Sequence, residues 1–100
     1  MSLSEQVTEE ARLIILRELL SEPNRSMTST SMCRALLDKF LIERSREWVE
    51  RQYRYLEEHD AVRVTPAGSV KIATLAPRGV QHLAMKIFID GVLSPSEPVL

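Results

Sequence analysis

The chain has 100 residues, which is enough for one hydrophobic core and one domain. Hydrophobic residues make up 44% and charged residues 27%, a balance that excludes an extensively disordered chain and fits a globular one. The formal charge of −1 excludes a globally basic nucleic-acid binder, so any affinity for nucleic acid has to come from a local positive patch.

Cys33 is the only cysteine, so an intramolecular disulfide is excluded. Met1-Ser2-Leu3-Ser4-Glu5 lacks the basic start and apolar run of a signal peptide, and no stretch is apolar enough for a membrane span. A cytoplasmic protein with no membrane partner is expected.

Helix one is expected from about Glu5 to Leu20, with Ser4 or Thr8 as cap and Glu9 and Glu10 near the positive end of its dipole. Ser21-Glu22-Pro23-Asn24-Arg25-Ser26 reads as a turn. Helix two follows from Ser29 to Phe40, capped by Thr28, with Met32, Cys33, Leu36 and Phe40 on one apolar face. Leu41-Ile42-Glu43-Arg44 is a short connection. Ser45 then caps helix three, which runs to about His59 with Val49, Gln52, Tyr53 and Leu56 toward the core. The period next changes to two: Val62-Arg63-Val64 and Val70-Lys71-Ile72 alternate around Pro66-Ala67-Gly68-Ser69, which predicts a hairpin. Pro77 suits the first position of a last helix, expected to reach Asp90 and to end at Gly91. The predicted domain spans 5–93, with flexible tails at 1–4 and 94–100.

This order of elements, with its small β-hairpin, predicts a mainly α (α+β) domain and resembles a winged helix-turn-helix. Ser45-Arg46-Glu47-Trp48-Val49 through Tyr53, and Leu56 through Val62, resemble the recognition helix of the bacterial winged-helix family and the approach to its wing. Asp60 stands where relatives often carry glycine and tolerates the left-handed backbone. Leu75-Ala76-Pro77-Arg78-Gly79 resembles the Leu-Thr-Pro-Lys-Gly stretch that follows the wing in many regulators, with Ala76 in place of the capping threonine. Residues 5–93 as a whole resemble small winged-helix proteins of Mu-like phages and prophages. These resemblances imply a DNA-binding regulator in a phage or bacterial setting.

In a helix-turn-helix the second helix lies in the major groove. Ser45, Arg46, Trp48, Arg51, Gln52 and Tyr55 are therefore the expected DNA contacts on helix three, with Arg63 and Lys71 on the wing touching backbone. Glu47, Glu50, Glu57 and Glu58 oppose this, and Glu47–Arg51, Glu50–Arg54 and Arg46–Glu50 are spaced to form ion pairs. An alternative use of the same helix is a protein-interaction module. Trp48, Arg51, Gln52, Tyr55 and His59 form one stripe, and Trp48 and Tyr55 are the residue types that anchor interfaces. These two aromatics could equally be satellite core.

Both terminal helices carry two apolar faces. Leu13, Leu16 and Leu20 on the first, with Met85, Ile89, Val92 and Leu93 on the last, are expected to form a homodimer interface. The alternative is that the two helices bury these stripes on each other within one chain. No catalytic residue, metal site or cofactor is expected. Cys33, His59 and His82 do not cluster in sequence, His82 is expected at the surface, and the glycines are too scattered for a phosphate loop.

Overall fold

In a computed structural model describing residues 2–99, the elements run α1 (Leu3–Ser21), β1 (Ser26–Thr28), α2 (Ser29–Phe40), α3 (Arg46–Glu58), β2 (Val62–Ala67), β3 (Val70–Leu75) and α4 (Pro77–Leu83). The expected helix-helix-helix-hairpin-helix order is present, and the architecture is a winged helix.

Side-chain caps define the helix starts. The hydroxyls of Ser2, Thr28 and Ser45 accept from the backbone N–H groups of Glu5, Ser31 and Trp48 at 3.0–3.1 Å. Helix α1 thus begins earlier than expected, with Ser2 rather than Ser4 or Thr8 as its cap. The turn between α2 and α3 is made by Leu41 in the left-handed region, φ 58°, while Ile42 N–H donates to the Leu36 carbonyl. Asp60 takes φ 60° at the end of α3, as the resemblance implied.

The hairpin β2–β3 turns at Gly68, φ 64°, and pairs Val62 with Leu75 and Val64 with Ala73 on its buried face. A third strand, β1, was not expected. Asn24 Oδ1 accepts from Ser26 N–H at 3.1 Å, and the chain then pairs with β3 through Ser26 with Thr74 and Thr28 with Ile72, giving the sheet order β1-β3-β2.

Helix α1 is the central element and packs against α2, α4 and β3. This explains its two apolar faces: Leu13 and Leu16 are 4% and 0% exposed within one chain. The expected dimer interface is corrected accordingly. Ile89 and Val92 are also buried, Leu20 and Met85 are half-covered, and of the seven residues only Leu93 is exposed. The terminal stripes meet each other instead.

Helix α4 stops at Leu83, about two turns short of the expected Asp90. Met85 takes φ 59°, and Lys86 N–H donates to the Gln81 carbonyl, which closes the helix. The chain beyond is held by His82, which is fully buried rather than at the surface. Its Nδ1 accepts from Ile89 N–H at 3.1 Å, which fixes the proton on Nε2, the donor to the Leu93 carbonyl at 3.0 Å. The expected flexible tail folds back as well: Pro95 is buried, and Val99 N–H donates to the Leu83 carbonyl at 2.8 Å. At the other end, residues 3 and 4 belong to α1. Met1 and Leu100 lie outside the described residues.

Candidate nucleic-acid interface

The amphipathic sequence of α3 sets the geometry of the candidate site. Val49, Tyr53 and Leu56 are buried, which fixes the helix on the core and turns the opposite ridge outward. Tyr53 reinforces this orientation by donating its hydroxyl to the Met27 carbonyl at 3.0 Å, and burial pushes its phenol far above the usual range.

The eight residues expected to contact DNA separate into groups. Arg51 is exposed on the outward ridge, joined there by Arg54, whose spacing from Glu50 had suggested only an ion pair. Among the described residues neither arginine has a carboxylate within ion-pairing distance, so the expected Glu47–Arg51 and Glu50–Arg54 pairs do not form. Arg46 is held back. Its Nη2 lies 3.2 Å from Glu47, and its buried Nε, without a hydrogen-bond partner, lies 3.7 Å from Glu50. Ser45 is exposed but its hydroxyl serves the cap, and Trp48 is half-buried beneath Arg44, whose guanidinium carbon is 5.4 Å from the ring centre.

Gln52 and Tyr55 are the corrections. Gln52 is 6% exposed, accepts from Arg12 Nε at 2.9 Å and donates to the Trp48 carbonyl at 3.3 Å. Tyr55 donates its hydroxyl to the Asp90 carbonyl at 2.8 Å, lies beneath the Arg12 guanidinium and stacks on His59. Both side chains face α1 and the segment after α4. They are removed from the reading surface, and Tyr55 is removed as an interface anchor because its ring and hydroxyl are already occupied. A glycine secures this contact: Gly91 adopts φ 78°, and a β-carbon there would strike the Tyr55 hydroxyl.

On the wing, the register pairs Arg63 with Thr74 on the sheet face opposite Val64 and Ala73. Arg63 is therefore on the outer face at the base of the hairpin, away from α3. Lys71 lies on the α3 side and shares a cleft with Glu50, Arg54 and Glu57. The turn itself is uncharged.

Two of the four acids on α3 are engaged by donors of other elements. Glu50 accepts from the Ser29 hydroxyl at 2.6 Å, and Ser29, itself fully buried, accepts from Lys71 N–H at 3.2 Å. One side chain thus ties the start of α2, the middle of α3 and the wing together. Glu57 accepts from Val64 N–H at 2.9 Å and fixes the base of the wing. These acceptor roles require the folded arrangement, so the sequence showed only the charges.

A groove of about 660 Å³ opens between α2 and the start of α3, lined by Arg34 and Asp38 on one side and Glu43, Arg44, Arg46 and Glu47 on the other. Cys33 lies in it and donates to the Arg44 carbonyl at 3.1 Å, a packing role at the helix-turn-helix turn. Among the described residues no cluster of His, Cys, Asp and Glu could hold a metal ion, and no helix is long and apolar enough to cross a membrane.

No family model and no curated protein matches the sequence. Among solved structures the fold is similar to the crystal structure of AbsC, a MarR family transcriptional regulator from Streptomyces coelicolor. The TM-score is 0.58 at 19% identity, over 70% of this chain and 45% of the length of that one. The shared fold is the winged helix.

Proposed function

We propose that the protein is a DNA-binding winged-helix regulator that lays α3 in the major groove of a duplex. The observation that carries this reading is the sorting of charge on α3. Among the described residues Arg51 and Arg54 stand outward without ion-pair partners, while Glu50 and Glu57 accept hydrogen bonds from the Ser29 hydroxyl and from Val64 N–H of the wing. The outward ridge thereby offers two unpaired guanidinium groups, the kind of local positive charge that a chain of net charge −1 needs to bind a duplex. Lys71 adds a cation toward the wing beside Glu50 and Glu57, and Arg34 and Arg44 add cations toward α2 beside Asp38 and Glu43. The fold shared with a transcriptional regulator supports the same reading, and the resemblance to Mu-like phage proteins suggests a phage or bacterial setting.

A two-fold site would need two copies. The exposed Leu3, Phe40 and Leu93 border the outer side of α1, where Glu10 and Arg17 lie seven positions apart beside Leu13 and Ile14. Antiparallel pairing of two α1 helices would oppose Glu10 to Arg17 of the partner subunit and cover these apolar edges. We place the dimer contact there in place of the buried stripes. Sedimentation should give a dimer for the wild type and a monomer for Phe40→Glu; a monomeric wild type would remove this part of the proposal.

Mobility shift on a mixed-sequence duplex at low salt tests DNA binding itself. Binding that weakens steeply with salt is expected, because each neutralised phosphate releases counterions. Arg51→Ala should weaken it about tenfold or more with folding unchanged, the magnitude of one lost arginine contact. No duplex affinity at low salt would overturn the reading.

A further inference from the structure

The DNA-binding reading leaves an acid where phosphates and bases should approach. Glu47 is in the first turn of α3, its side chain is 63% exposed, and unlike Glu50 and Glu57 it serves no backbone or hydroxyl donor of another element. Arg51 follows it one turn later on the same outward ridge. We propose that Glu47 is a specificity-determining residue that accepts a hydrogen bond from the N4 amino group of a cytosine in the major groove, beside a guanine read by Arg51. This rests on the DNA-binding reading of α3.

The chemistry narrows the partner. An ionised carboxylate only accepts hydrogen bonds. The edges of guanine and thymine in the major groove carry no amino donor, and a glutamate is matched by the N4 amino group of cytosine. The first turns of a recognition helix are the part that reaches base edges. An arginine makes its best base contact with guanine O6 and N7. Four helical residues rise about 6 Å, close to two steps of roughly 3.4 Å along a DNA strand, so the two side chains address base pairs within two steps of each other.

The geometry also orients the carboxylate. Arg46 Nη2 holds it at 3.2 Å, Arg46 Nε faces Glu50, and Glu50 is fixed by the buried hydroxyl of Ser29. A chain of polar contacts therefore runs from the core to the reading tip, which limits the ordering left to do on binding. Its own backbone N–H and the Arg46 guanidinium hold the Glu47 carboxyl below the usual carboxylate range, so it is an acceptor at neutral pH.

The test is selection of bound duplexes from a randomised library by the full chain and by Glu47→Ala, Glu47→Gln and Arg51→Ala, with melting temperatures as the folding control. The wild type should enrich a cytosine, with a guanine within two steps of it. Glu47→Ala should reduce the cytosine preference from about tenfold to near unity and bind random duplex more tightly, because an acid has left the phosphate-facing surface. Glu47→Gln should move the preference at that position from cytosine to adenine, since glutamine pairs with adenine N6 and N7. A charge that merely repelled phosphate would relax without such a switch. Arg51→Ala should lose the guanine alone. Enrichment of the same sites by wild type and both Glu47 variants would overturn the inference while leaving DNA binding intact, as would wild-type binding without base preference. Failure of the wild type to bind any duplex would overturn the DNA-binding reading and this inference together.

Discussion

On its flank toward α1, helix α3 presents Gln52 and Tyr55; on its outer ridge it presents Glu47, Arg51 and Arg54. Residues of both flanks carry hydrogen-bonding or charged groups suited to recognition, yet only the second has those groups to spare. The difference lies in what packs alongside. After α4 the chain crosses the first flank and offers the carbonyls of Asp90 and Gly91, which Tyr55 and Arg12 take up, while Arg12 in turn occupies Gln52. Among the described residues no segment covers the outer ridge, where Arg51 and Arg54 are exposed. Availability for a ligand is thus set by the path of the chain nearby, and residue type alone does not reveal it.

The largest effect expected on this division is from His82→Ala. It leaves Ile89 N–H and the Leu93 carbonyl without their side-chain partner and opens a cavity, for a loss of about 3 kcal/mol. In thermal unfolding a drop on the order of 10–20 °C is expected for a domain of this size. A drop of only a degree or two would mean that the segment after α4 is not held by this residue.

The Arg51→Ala/Arg54→Ala double variant should lose more duplex affinity than either single change, about 2–4 kcal/mol if each contact is worth a typical amount, with an unchanged melting temperature. A falling melting temperature would move these arginines to the occupied side of the comparison. Tyr55→Phe should show the reverse pattern: about 1 kcal/mol less stability from the lost hydroxyl bond to Asp90, and unchanged DNA affinity. Weakened DNA binding in that variant would return Tyr55 to the reading surface.

The smallest effect concerns acid titration. The Glu47 carboxyl titrates below its ordinary value in the folded chain, so it adds stability above the unfolded value of about 4.3 that is lost as pH falls through the lower folded one. Wild type and Glu47→Gln should differ slightly in melting temperature at pH 7, and the difference should shrink as the pH falls through the lowered folded value. A constant gap across that range would show that the carboxylate is not held by its own N–H and Arg46.

Much of the fold was legible because it rests on local signals. Thr28, Ser45 and Gly68 mark element boundaries wherever they occur with the right neighbours, and the change of period at Val62 marks the hairpin. What escaped depends on partners distant in sequence. Strand β1 is only three residues long and exists because β3 lies beside it. The early end of α4 depends on Met85 accepting a left-handed backbone and on His82 reaching Ile89 and Leu93, neither of which has a sequence signature. The second apolar stripe of α1 was visible, but a stripe does not say whether its cover is another subunit or the same chain.

The charge problem on α3 had the same origin. Counting gave four acids against three arginines, and helical spacing suggested mutual pairing. Spacing permits a pair but does not select it when a better donor approaches from another element. Ser29 takes Glu50, and Val64 N–H takes Glu57. The candidate ridge became readable only once those acids were assigned.

Trp48 is the single tryptophan of the chain and lies half-buried at the foot of α3, with Arg44 above its ring. It is consequently a built-in optical reporter located where a duplex would arrive. Displacement of the arginine or a change in hydration there would alter its emission, so an unlabelled titration can follow occupancy of this face. The same indole packs against the core, so unfolding shifts its spectrum toward that of a fully hydrated ring, and one fluorophore can report on both processes.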